Sequence, residues 1–237
     1  MKHTVAIIPL DHLALVFIPV LLVIGVFYLW SLKTGTVVYA FARMLAQLML
    51  VGYALLWVFA IEQAWIVLAL VLAMAVISSW IALRTIERHR RALYALTLAS
   101  ILLGGGGVLL LVTQLTLDLE PWYQPNFFIP LAGMIFSNSM NGVSLAVDRL
   151  QAELITNDYA AARASALHTA LIPLVNSLFA VGLVALPGMM TGQILSGVSP
   201  LIAARYQIMV MCMLFAAAGL STILFLCFAR RYFDKAP

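Results

Sequence analysis

Polar side chains that could do chemistry are few in this chain, and the densest group lies inside an apolar stretch. It reads Ser137-Asn138-Ser139-Met140-Asn141-Gly142-Val143-Ser144. On a helix Ser137, Asn141 and Ser144 are spaced i, i+4, i+7 and share a face, and Asn138 lies beside them. Amides and hydroxyls at that depth in an apolar segment must face protein or water, because hydrocarbon offers them no partner. They can act as hydrogen-bond glue between helices, or they can line a route for a solute. A second group follows Leu186-Pro187-Gly188: Met189, Met190 and Gln193. Thioether sulfur is a soft ligand suited to a cation such as Cu(I). Pro187 removes a backbone donor and Gly188 loosens the chain, so Gly188–Gln193 is expected to leave the regular helix. A third pair is Arg43 and Gln47, four residues apart on one helix face, where the arginine can snorkel toward the interface.

Other combinations carry less. Met209, Met211 and Met213 alternate, which on a helix spreads them around the axis, so they form no ligand cage. Gly104-Gly105-Gly106-Gly107 is followed by Val-Leu-Leu and not by Lys-Ser/Thr, so it is no phosphate loop; it reads as close helix packing or as a hinge. His168 and Ser139 sit at different depths and make a poor hydrolase pair. Cys212 and Cys227 on one helix stand roughly 22 Å apart and cannot bond to each other. No Cys/His spacing suggests zinc. No catalytic residue and no resident cofactor is therefore expected, and a metal site is left unknown.

The elements that must hold these groups are membrane helices. Of 237 residues, 65% are hydrophobic and 9% charged, too much apolar surface for a soluble core and suited to a bilayer. Apolar stretches fall near 12–32, 36–60, 64–83, 92–113, 127–147, 169–190 and 204–229. The expected fold is all-α, a polytopic transmembrane bundle of about seven spans in one transmembrane domain over residues 1–237. The run Leu13–Leu32 exceeds a signal-peptide core and is read as a retained span. The loop at 84–91 holds four arginines against one glutamate, and the tail carries Arg230, Arg231 and Lys235. Both are expected on the cytoplasmic side. The loop with Asp118 and Glu120 is expected outside, and an odd number of spans then puts the N-terminus outside as well. Trp30, Trp122, Tyr123 and Tyr206 stand near span ends, as an aromatic belt would. The net charge of +4 is taken up by this loop asymmetry and gives no reason to expect nucleic acid.

Several stretches together resemble one family. They are Arg43…Gln47…Val51-Gly52-Tyr53, Ile129-Pro130-Leu131-Ala132-Gly133-Met134…Asn138-Ser139-Met140, Ala170-Leu171-Ile172-Pro173, Val181 through Gly192 with its Leu-Pro-Gly-Met-Met-Thr-Gly, and Tyr206-Gln207-Ile208-Met209-Val210. They resemble the FetB-type permeases of ABC transporters, which include bacterial iron exporters and plant aluminium-tolerance membrane proteins. The resemblance implies an inner-membrane permease that dimerises, sits in lipid and works with a separate ATP-binding subunit, exporting a metal ion such as iron. Two other classes are an ATPase-independent transporter or channel and a non-transporting membrane scaffold. The resemblance implies a longer cytoplasmic segment between spans five and six, with an acidic helix and a Leu-Gly-Ala turn resembling the coupling helix that docks on the ATPase. Here the segment between spans five and six is short and lacks that turn, and Arg149, Glu153 and Arg163 remain as docking charges.

Overall fold

A computed structural model describes residues 8–58, 63–84, 86 and 90–233. Thr85, residues 87–89 of the basic loop and Lys235 lie outside the described residues. Every regular element among those described is helical, and the chain divides into two compact units, 1–60 and 61–237.

The first unit holds α1 (Leu10–Leu15), α2 (Phe17–Leu29) and α3 (Thr34–Val58). Val16 keeps helical geometry between α1 and α2, so Leu10–Leu29 runs as one apolar stretch of 20 residues with no buried side chain. At its end Ser31 takes φ +55°, and the amides of Ser31 and Leu32 return to the carbonyls of Tyr28 and Phe27 at 3.1 and 2.9 Å. This left-handed cap satisfies carbonyls that hydrocarbon could not. Arg43 and Gln47 are both exposed on α3.

The second unit holds α4 (Ala64–Ala82), α5 (Arg90–Ser100), α6 (Gly107–Leu110), α7 (Pro125–Glu153), α8 (Tyr159–Ala180), α9 (Gly188–Leu195) and α10 (Pro200–Phe233). Two π-helical turns, Ile101–Gly106 and Leu111–Thr116, flank α6, so Arg90–Thr116 forms a single long helical rod. α7 is the hub and packs against α4, α8 and α10. One apolar cluster gathers Val67, Ile101, Phe128, Ile135, Phe136 and Met213; a second gathers Leu83, Leu93, Val147, Leu150 and Phe225.

Among the described residues, five helical stretches are long and apolar enough to cross a membrane: Leu10–Leu29, Thr34–Ala54, Ala64–Ala82, Arg90–Thr116 and Pro200–Phe233. α7 and α8, with 29 and 22 residues, have the length but carry more polar residues, among them Asn138, Asn141 and Asn176. The chain is a multi-pass membrane protein, and its two most polar long helices, α7 and α8, pack against each other.

The break near Pro187 lies elsewhere than the sequence suggests. α8 ends at Ala180, and Gly182 turns the chain at φ +83°, a conformation open to glycine at little cost. The Gly182 amide reaches the Ala185 carbonyl at 3.0 Å, closing a small loop. Gly188–Gln193, expected to be irregular, is instead helical within α9, with Pro187 as its N-cap in extended geometry. Proline just before a helix is pre-set for this position and gives up no needed donor. The non-helical stretch is therefore 181–187, and its Leu183 and Val184 are 90% and 86% exposed.

Candidate functional site

α7 presents two polar faces with different surroundings. The first meets α10 and the π-helical turn. Ser139 is fully buried and donates to the Ala217 carbonyl at 3.2 Å, and Ser221 donates to Ser139 at 3.1 Å. The backbones approach closely there. A β-carbon on Gly104 would fall 2.6 Å from the Ser221 amide nitrogen, and one on Gly142 would fall 2.8 Å from Thr222 Oγ1. Gly105 packs against Ile135 and Ser139, whereas Gly106 and Gly107 face open space. The packing reading of the glycine run thus holds for its first half. The seam is a filled helix–helix joint of the kind small residues make in membranes.

The second face opens into a cavity of about 380 Å³ between α7 and α8. Asn138, Asn141 and Ser144 line it from α7, Pro173 and Ser177 from α8, and Arg84 from the chain just after α4. Asn138 donates to the Met134 carbonyl at 2.9 Å and Ser177 to the Pro173 carbonyl at 2.9 Å. Asn141 is exposed and Ser144 half-buried, and neither side chain has a hydrogen-bond partner among the described residues. Pro173 sits inside the continuous helix α8 and lacks the N–H that would bond the Thr169 carbonyl, which leaves that carbonyl without its helical donor beside the cavity.

The other expected residues lie apart from this cavity. Ser137 is exposed and donates back to the Met134 carbonyl at 3.1 Å. Met189 packs on the first apolar cluster, Met190 is half-buried, and Gln193 holds a buried Oε1 with no hydrogen-bond partner. Gln207 on α10 has the same unmet acceptor and is 6% exposed. Among the described residues no three His, Cys, Asp or Glu side chains gather as metal ligands would.

At the far end of α7 a short turn leads into α8. Asp158 caps α8 by accepting the Ala161 amide at 2.9 Å. Arg149 pairs with Glu153 and donates to Ser165 at 3.1 Å, and Ser165 donates to Glu153 at 3.0 Å. Asn157 also donates to Glu153. The hydrogen bonds from Ser165 and Asn157, with Arg149 alongside, hold the Glu153 carboxyl below its ordinary value. Arg163 is exposed. Nearby, the Arg90 guanidinium lies 3.9 Å from the Trp80 ring centroid and donates to the Trp80 carbonyl at 3.0 Å.

Two features escaped the sequence reading. Arg84 registered only as one of a basic loop, and Ser177 not at all. Arg84 follows α4 directly, so its place beside α7 depends on α4–α7 packing, which spacing cannot reveal.

Fold and site define a class: a multi-pass membrane protein with a tightly packed helical unit and a polar cavity between its two more polar long helices. The sequence profile of the family described as uncharacterised protein family UPF0014 matches residues 10–160 and 156–233. The chain belongs to that family. It is 36% identical over 208 residues to a UPF0014 membrane protein of Synechocystis, covering 80% of each chain. It is 34% identical to the probable iron export permease protein FetB of Escherichia coli, over 79% of this chain and 77% of the relative. It is 32% identical to the protein ALUMINUM SENSITIVE 3 of Arabidopsis thaliana, over 85% and 79%. No solved structure matches.

Proposed function

We propose that this protein is the permease subunit of an ABC-type exporter in the inner membrane, and that the α7–α8 cavity is part of its solute route. The observation that carries the reading is the cavity itself, where Asn141 and Ser144 stand without hydrogen-bond partners among the described residues of a largely apolar chain. Polar groups at membrane depth are costly unless they meet protein or water. Iron enters as the cargo through the name of the Escherichia coli relative. In this reading the chain has seven spans, α7 and α8 among them, with the N-terminus outside and the C-terminus cytoplasmic. It forms a homodimer and takes its energy from a separate ATP-binding subunit. Asn138, Asn141 and Ser144 contact solute; Ser137, Met189, Met190 and Gln193 serve the route only if the helices rearrange. Arg43 and Gln47 form a polar face on α3.

The test is iron retention in cells expressing the wild-type chain or Asn141→Leu at matched levels. Export by the wild type and its loss in the variant support the route. Equal export by both removes the cavity from it.

One observation favours a second reading, transport without an ATPase. Arg149 and Glu153 are engaged with each other and with Ser165, which leaves Arg163 as the one of the three docking charges with no ion pair among the described residues. Flux in liposomes containing this chain alone would support that reading, and flux only with a co-purifying ATPase would support the first.

A further inference from the structure

Among the described residues the cavity lining carries one full charge, and it is positive. Arg84 is exposed to the cavity and forms no ion pair among the described residues, where the pairs are His12–Asp11 and Arg149–Glu153. The other polar groups are amides and hydroxyls from Asn138, Asn141, Ser144 and Ser177. Among the described residues, no carboxylate, imidazole, thiol or thioether lines the space. A bare divalent cation needs several such ligands to replace its water, and a nearby guanidinium repels it. The same lining suits the opposite partner. Guanidinium binds carboxylate or phosphate through paired N–H donors, and the Asn141 amide and Ser144 hydroxyl can add neutral ones. The volume lies within the range of about 300–1,000 Å³ usual for small-molecule sites.

We propose that the α7–α8 cavity binds an anionic oxygen group, carboxylate or phosphate, through Arg84, Asn141 and Ser144, and that a metal cargo enters it only as a complex of net negative charge. This rests on the cavity being the solute route, and it changes what the route carries. Selectivity then lies in the ligand surrounding the metal, and metal-free anions of the same shape compete for the site.

Calorimetry on the full chain in nanodiscs of zwitterionic lipid at low ionic strength tests the proposal, with citrate, ferric citrate, inorganic phosphate and ferrous ion as separate probes. Saturable binding of at least one anion is expected, weakened about tenfold or more in Arg84→Gln and less in Arg84→Lys. Asn141→Leu, which leaves Arg84 in place, should weaken it as well. Binding of citrate alone assigns a carboxylate site, and phosphate alone a phosphate site. No anion binding to the wild type overturns the proposal, as does binding unchanged in both Arg84→Gln and Asn141→Leu. Ferrous ion binding alone, and more tightly in Arg84→Gln, overturns it too. The iron-retention assay separates this from failure of the route. Export lost in Asn141→Leu with no anion binding leaves the permease standing and removes the anion. Anion binding with export intact in Asn141→Leu keeps the site and removes it from the route.

Discussion

The two polar faces of α7 are built from similar residues and end in opposite states. On one face Ser139 and Gly142 meet Ser221 and Thr222, the backbones close up, and no room is left. On the other, Asn141 and Ser144 look into open space beside Pro173. Glycines and a matched pair of hydroxyls let the first joint close. On the second, amides on α7 and the proline in α8 border a cavity that their packed helices leave open. Polarity inside a membrane helix therefore says little about function until the facing helix is known.

The largest contrast should come from the glycine run. Gly104→Ala pushes a methyl into the Ser221 backbone and should cost about 1–3 kcal/mol, whereas Gly106→Ala meets nothing and should be neutral or mildly stabilising. Thermal unfolding of both variants in the same detergent checks this, and equal losses would deny the close approach of α10. Next in size is Ser139→Ala, which removes both seam hydrogen bonds and should cost about 0.6–2 kcal/mol with transport per folded molecule unchanged. Asn141→Leu should behave in the opposite way, with stability shifted by about 0.5 kcal/mol or less and transport lost. Flux and melting temperature measured on one preparation would expose any exchange of these roles.

The smallest effect concerns the α7–α8 turn. The folded Glu153 carboxyl titrates below its ordinary 4.5, so its contribution is present above that pH and fades as pH falls through the lowered value. Hydrogen exchange of residues 154–158 should be flat from neutral pH to about 5 once intrinsic rates are corrected, and should then rise on further acidification. In Glu153→Gln that rise should be absent.

Much of the helical layout was legible in composition and run length, because a 20-residue apolar stretch such as Leu10–Leu29 has few alternatives to a membrane span. The helix break was misplaced, because Pro187 looked like an interruption while Gly182 turned the chain five residues earlier. The site was half legible. Asn138, Asn141 and Ser144 stood out as polar groups at depth, but the i, i+4, i+7 face put Ser137 with them, and the structure turns it outward. Ser139 passed for a poor nucleophile, since its partners Ala217 and Ser221 lie about eighty residues away. Arg84 was hidden for the same reason: tertiary packing, not local pattern, brings it to the cavity that Asn141 lines.

The account depends on the α7–α8 cavity being wet and reached from the cytoplasm. Replacing Cys212 and Cys227 by alanine gives a background on which Asn141→Cys or Ser177→Cys is the sole thiol. Labelling with a membrane-impermeant thiol reagent, applied to right-side-out and to inverted vesicles, then reads the cavity directly. Labelling of both positions in inverted vesicles only is the predicted result. No labelling from either side would make the cavity a lipid-filled groove and contradict the route.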